Sequence, residues 1–323
     1  MTKIIYLDQN HWINLLRTKL GISNQNQIEK RALNAILKAS KDGSAIFPIS
    51  NTHLIETYKK KDSQKREQLL DFMIEISNGY GIVTYIAIQK FEIRQAVLKQ
   101  VGLPTKDIRQ YVIGKGFPHI MGQKPEIINK NGTKPNFSKE INDKIKEATH
   151  CIETFKLFVK NNECIEAIRN CITKEKQLVK NIEDRIKRDM NFVKDKDLRK
   201  RFTLFRLFYE IIIPEMEKVA NELYLDPWDI TPNGVTKKWA FDFIQSIPSL
   251  YIFWILQFRR DVQCQGKIKS SDINDITALS IAIPYCDIVV TEKMWADIAH
   301  KEKLDKIYNT TILSSLNNLD NYF

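Results

Sequence analysis

Along this chain the hydrophobic positions switch between continuous runs and helical spacing, and each switch marks an element. The run "KIIYL" (3–7) predicts a buried strand, and "DQNHWINLL" directly after it has the spacing of an amphipathic helix. Leu33, Ile36 and Leu37 recur at helical intervals up to Gly43, which is placed as a helix-ending glycine. "SAIFPIS" (44–50) reads as a second strand. "NTHLIETYKK" then starts a helix that "REQLLDFMIEI" continues, with Leu69, Leu70, Met73 and Ile76 on one face. "YGIVTYIAI" (80–88) reads as a third strand. Near the end, Ile276, Leu279 and Ile283 are spaced for a helix that Pro284 stops. "DIVVT" (287–291) is then a buried strand, "KMWADIAH" a helix, and "KIYNTTIL" (306–313) the run that closes the sheet.

The middle differs. Residues 104–138 have the Gly, Pro, Asn and Lys content of loops, and 139–222, nearly free of Gly and Pro, predict long helices. The longest apolar stretch, "IPSLYIFWILQF" (247–258), is too short to span a bilayer and reads as a buried helix. No apolar signal segment opens the chain, so a cytoplasmic protein with no membrane partner is expected. The expected fold is α/β. Its ends, 1–103 and 268–323, build one short parallel sheet, and a mainly helical, basic segment, 104–267, is inserted between them.

Composition narrows the classes. A chain of 323 residues with 43% hydrophobic positions buries a substantial core, as one large domain or two ordinary ones. Cys151, Cys164, Cys171, Cys264 and Cys286 are odd in number and form no CxxC pair, which excludes a disulfide framework and a structural zinc site and leaves them as small core residues. The net charge of +11 suits a polyanionic partner, and residues 101–260, with 29 Lys and Arg against 21 Asp and Glu, carry most of the excess. Within that segment "KDKDLRKRFTLFRLFY" sets Lys196, Arg199, Lys200, Arg201 and Arg206 among Phe202, Phe205 and Phe208. A packed aromatic face with a solvated basic face is the simpler expectation for it than a base-stacking platform, and the basic face is still able to track a phosphate backbone.

Carboxylates stand at strand ends and helix starts. Asp8 follows the first strand, with Asn10 on the same face by the period of two; Glu56 lies in the helix after the second strand; Asp272 and Asp275 open the late helix; Glu292 follows "DIVVT". Each has an ordinary explanation as a helix cap or a surface acid. Together they share the carboxyl edge of one inferred sheet, where open α/β folds bind ligands. A cluster of hard oxygen donors there selects Mg²⁺ or Mn²⁺ rather than zinc.

Three segments carry a resemblance to the PIN-domain ribonucleases, a family that includes toxin-type endonucleases and RNA-processing nucleases. They are "IIYLDQNHWINL", "ISNTHLIETY" and "DINDITALSIAIPYCDIVVTEK", and the resemblance covers roughly residues 1–95 and 268–323. It implies an α/β/α sandwich around a short parallel sheet, divalent ions held by the acids, and hydrolysis of single-stranded RNA. Asp8 would be the first ligand, Glu56 the second acid, and Asp275, with or without Asp272, the third. Glu292 stands where the family has an aspartate, beside Thr291; its extra methylene and the choice between Asp272 and Asp275 leave one or two ions open. Asn10 and Thr291 would position water or ligands. An inserted segment of this size is unlike the compact toxins, so toxin, antiviral and RNA-maturation roles, an inhibitor protein and a homo-oligomer all stay open.

Other classes are testable by motif. None of His11, His53, His119, His150 or His300 has an arginine five residues before it, which removes the Arg-x4-His element of HEPN-type ribonucleases, and no GxxxxGK[ST] occurs. Two alternatives persist: a PIN-like scaffold that binds RNA or protein without cutting, and a nuclease for single-stranded DNA.

Overall fold

The computed structural model describes residues 2–22, 27–123, 131, 133–231, 234–264 and 269–322. "KIIYL" forms β1 (Lys3–Leu7), and Asp8 then caps α1 (Gln9–Lys19) by accepting the Gln9 N–H at 2.6 Å. α2 (Gln27–Asp42) stops where Gly43 takes a φ of +76°, as expected of a helix-ending glycine. The run 44–50, expected as one strand, is two, β2 (Ala45–Ile46) and β3 (Ile49–Ser50). Pro48 between them has no N–H to donate, so the ladder breaks and the halves join different sheets. α3 (Asn51–Tyr58) and α4 (Ser63–Ser77) are separate helices rather than one, because Asp62 caps α4 by accepting the Lys65 N–H at 3.0 Å. The run 80–88 is strand only at β4 (Tyr80–Ile82). From Tyr85 it coils as α5 (Tyr85–Gln100), which buries Ile88, Ile93 and Val97 at helical spacing.

The loop-like stretch holds α6 (Ile108–Val112), β5 (Ile113–Lys115) and α7 (Phe117–Ile120), while its residues 124–130 and 132 lie outside the described set. Long helices follow as expected: α8 (Lys139–Thr149), α9 (Ile152–Lys160), α10 (Asn162–Phe192), α11 (Lys196–Leu207) and α12 (Ile213–Leu223). A π turn, Phe208–Ile212, precedes α12; the wider turn accommodates Pro214, which has no N–H and a ring that crowds the preceding turn. α13 (Pro227–Ile230), α14 (Lys237–Gln245) and α15 (Pro248–Cys264) lead to α16 (Ser270–Tyr285), β6 (Ile288–Val290), α17 (Lys293–Lys301), α18 (Leu304–Tyr308) and β7 (Thr311–Leu313). The expected boundary at 267–268 falls outside the described residues. Among those described, no single helix is long and apolar enough to cross a membrane. Cys286 is buried as expected, Cys164 is half-buried and Cys151 exposed, while the side chains of Cys171 and Cys264 lie outside the described set.

The fold is mixed α/β. A four-stranded sheet runs β2-β1-β6-β7, every pair parallel, and a three-stranded sheet runs β3-β4-β5. β1 is central because both of its faces are covered, which is why it reads as an unbroken apolar run rather than an alternating one. Ile5, Leu7, Ile288 and Val290 face one core with Trp12, Ile36 and Met73 from α1, α2 and α4. Tyr6, Val289 and Ile312 face the other, with residues of α5, α12, α15, α16 and α17. Helices from the middle of the chain therefore cover the second face of the sheet that the two ends build.

Glu92 of α5 ties this second layer together. It is fully buried and accepts the Ser249 N–H at 3.1 Å, the Ser249 hydroxyl at 2.5 Å and the Tyr285 hydroxyl. Burial pushes its pKa from 4.5 up to about 7, against the pull of those donors. Below about pH 4.5 the carboxyl is protonated folded or unfolded and its contribution to stability is complete; as pH rises towards about 7 only the unfolded chain releases the proton, and stability falls. The loss is about 3 kcal/mol at most. Glu92→Gln is expected to remove this fall from thermal melts recorded across that window. A wild-type melt that does not weaken more than the variant's over the window contradicts the assignment.

Candidate active site

The parallel pairing of β1 with β6 runs up to the first acid: Leu7 stands opposite Val290, and the Asp8 N–H donates to Val290 O at 2.9 Å. The next residues of both strands therefore meet. Asp8, 7% exposed, accepts the Gln9 N–H, the Thr291 hydroxyl at 3.2 Å and the Glu292 N–H. It sits at the N-terminal ends of α1 and α17, where helix dipoles favour negative charge. Burial is the stronger influence, and the pKa of Asp8 is raised despite its three donors.

Asp275 comes from the second turn of α16 and Glu56 from α3. The pKa of Asp275 is raised by burial first, then by the charges of Asp8 and Glu56, and less by Glu292, while Trp295 Nε1 donates to its Oδ2 at 3.0 Å. Glu56 Oε1 accepts from the Asn274 amide at 3.3 Å. Glu292, exposed at the start of α17, accepts from the Asn10 amide. Asp8, Glu56 and Glu292 thus all act on Asp275 at the carboxyl edge of the sheet, and Thr291 and Asn10 hold Asp8 and Glu292.

Asp272 stands apart. It is 4% exposed and turned back on its own helix, accepting the Lys269 N–H at 2.9 Å and Arg260 Nη2 at 3.0 Å. Of the two acids that open α16, Asp275 is the one whose charge meets Asp8.

The basic helix meets the expectation of a packed aromatic face and a solvated basic face only in part. On α11, Arg206 is forked onto Asp189 at 3.1 and 2.5 Å, and Lys200 lies over the rings of Trp254 and Phe258 at 5.2 and 5.9 Å. Arg199 acts on Asp261, whose pKa burial nevertheless pushes up to about 8. Only Lys196 and Arg201 of the five cations are exposed, whereas Phe202 and Phe205 are 46% and 56% exposed. The half-buried Asp189 of α10 and Asp261 of α15 draw Arg206 and Arg199 inward, Phe208 is buried, and Phe202 and Phe205 are left outside.

Sequence reasoning passed over Tyr6, buried at 2%, although it lies two residues before Asp8 and so on the same strand face. Its hydroxyl is hydrogen-bonded by Ser50. Burial first, then Asp8, Glu56 and Asp275, push its pKa well above the usual value. The Tyr6 ring stacks on His53 at 5.2 Å, and burial holds His53 neutral, its pKa near 3, with Nδ1 accepting the Ser50 N–H at 3.1 Å. Trp295 and Asn274 were also missed; each orients an acid.

The converging donors are all carboxylate oxygens, the chemistry of a hard divalent cation. As the side chains stand, no three Asp, Glu, His or Cys residues among those described are arranged to hold one metal ion. The like charge of Asp8, Glu56 and Asp275 fits a cation in its donor chemistry and in the electrostatic burden that a cation would relieve.

Two measurements test this division of roles. Asp275→Asn keeps an acceptor for Trp295 and removes a burdened charge, so the variant is expected to match or exceed wild-type stability in metal-free buffer. Its advantage grows with pH, because a raised folded pKa costs the wild type stability as pH rises; a loss above about 1 kcal/mol in denaturant melts contradicts it. Asp272→Ala takes the carboxylate from Arg260 and is expected to cost about 3 kcal/mol. A near-neutral effect would mean that the pair carries no structural role. No family model, no curated protein and no solved structure matches this chain.

Proposed function

We propose that this chain is a PIN-like, metal-dependent nuclease that hydrolyses phosphodiester bonds of RNA with Asp8, Glu56, Asp275 and Glu292. One observation carries the reading: carboxylates from segments more than two hundred residues apart come together at the carboxyl edge of a parallel sheet, where burial first and then the charges of Asp8 and Glu56 raise the pKa of Asp275. Asp8, Glu56 and Asp275 would hold the cation, with Glu292 at the exposed rim. When bound, a divalent ion supplies positive charge to the phosphodiester in its transition state and acidifies the attacking water. The protein's own part is orientation and proton transfer. Three donors fix the Asp8 carboxylate, Trp295 fixes Asp275 and the Asn10 amide fixes Glu292. As the attacking water bonds to phosphorus and the bond to the leaving oxygen breaks, an ionised carboxylate of the cluster takes the water's proton. The net charge of +11 and the exposed Lys196 and Arg201 suit a polyanionic substrate.

A second reading is favoured by the side-chain arrangement, in which no group of three ligands among the described residues is set for an ion: a PIN-like scaffold that binds RNA or protein without cutting. Calorimetric titration with Mn²⁺ separates the two, since the scaffold has no use for a cation.

With Mg²⁺, the wild-type chain is expected to cut single-stranded RNA, and Asp8→Asn and Asp275→Asn to lose about 100-fold or more in rate while remaining folded. Matched DNA strands in the same assay report sugar selectivity. Variants that cut as fast as wild type overturn the assignment.

A further inference from the structure

A cleft of about 1130 Å³ opens between α3, α5, α12 and α16, larger than the ~300–1,000 Å³ of a site for one small molecule. It touches the acids at two points. Asn274, which donates to Glu56, and Ser50, which hydrogen-bonds the Tyr6 hydroxyl, both line it. Two stacked ring pairs also line it: Tyr85 with Phe253, centroids 5.1 Å apart, and Phe91 with Tyr111, at 4.0 Å. The charges at its edge are mostly spent on one another, Arg94 pairing with Glu222 and Lys218 with Glu215. Exposed Lys90 is the lining cation with no carboxylate partner among the described residues. The walls are thus apolar and aromatic, with an open cation and with carboxylates adjoining one end.

We propose that this cleft is a base-binding subsite that takes unpaired bases beside the bond to be cut, while Lys90 meets a backbone phosphate. Aromatic walls accept every base through its π-face, and bases held in a duplex are not free to enter. Part of the cleft wall is built by α12 and by Phe253 of α15, so the middle segment supplies contacts to the strand that the two ends of the chain lack. The inference rests on the nuclease reading for what lies at the end of the cleft. It differs in what it requires, namely single-strand binding that depends on α5 and α16.

The test is fluorescence anisotropy of labelled ten-nucleotide RNA and DNA single strands, and of the same sequences as blunt duplexes, with the full chain in EDTA. Single strands are expected to bind more tightly than duplexes. Thr277→Trp, which fills the cleft from α16, and Lys90→Glu, an exposed change that leaves the core untouched, are each expected to weaken single-strand binding about tenfold, the scale of one lost base stack. Equal binding of duplex and single strand, or Lys90→Glu and Thr277→Trp both binding as wild type, overturns the subsite. A wild-type chain that binds in this way and does not cut with Mg²⁺ retires the nuclease reading and keeps the subsite. A chain that cuts while both variants bind normally retires the subsite alone.

Discussion

The pairing of β1 with β6 is the contact on which the rest depends. Ile5, Tyr6 and Leu7 stand opposite Ile288, Val289 and Val290, joining the first residues of the chain to some of the last. Closing so long a loop is entropically costly, and the return comes from burying both faces of a central parallel pair. Once the pair forms, Asp8 has no freedom in where it lies. Its N–H continues the ladder, and its carboxylate meets Thr291 and the first turn of α17.

That placement sets stability against chemistry. Asp8 and Asp275 are held in an environment that penalises their charge, with Glu56 adding to the burden on Asp275. A fold selected for stability alone would have paired them with cations, as it did with Asp272 and Arg260 or Asp189 and Arg206. Carboxylates whose charges raise the pKa of the buried Asp275 are a burden that a bound cation would relieve, whereas the buried Glu92 meets no other carboxylate among the described residues and is held by hydroxyl and N–H donors.

Helices of the middle of the chain share the covering of the sheet's second face with α5, α16 and α17. α12 and α15 share one hydrophobic core with Tyr6, Val289 and Ile312, and the fully buried Glu92 links α5 to α15 and α16 through Ser249 and Tyr285. A segment that covers a sheet face is bound to that face by apolar burial, so it cannot move freely relative to the acids. Its helices also form part of the wall of the cleft that adjoins them.

The sequence by itself determined the elements whose signal is local: β1, the strand within "DIVVT", the helix of Gly43 and the Gly- and Pro-poor helices 139–222, because burial on both faces or at helical spacing leaves a periodic trace. It also marked Asp8, Glu56, Asp275 and Glu292, since acids at strand ends and helix starts are visible in order of residues. Tertiary structure decided what depended on partners distant in the chain. Asp275 rather than Asp272 faces Asp8, because Arg260 claims Asp272. Arg199 and Arg206 of α11 turn inward because the half-buried Asp261 and Asp189 lie beneath them, while Lys196 and Arg201 stay exposed. Residues 85–88 coil into α5, whose apolar face packs against α12 and α15 of the middle segment. Local spacing states which face of an element is apolar; only the folded chain states which charge that face will meet.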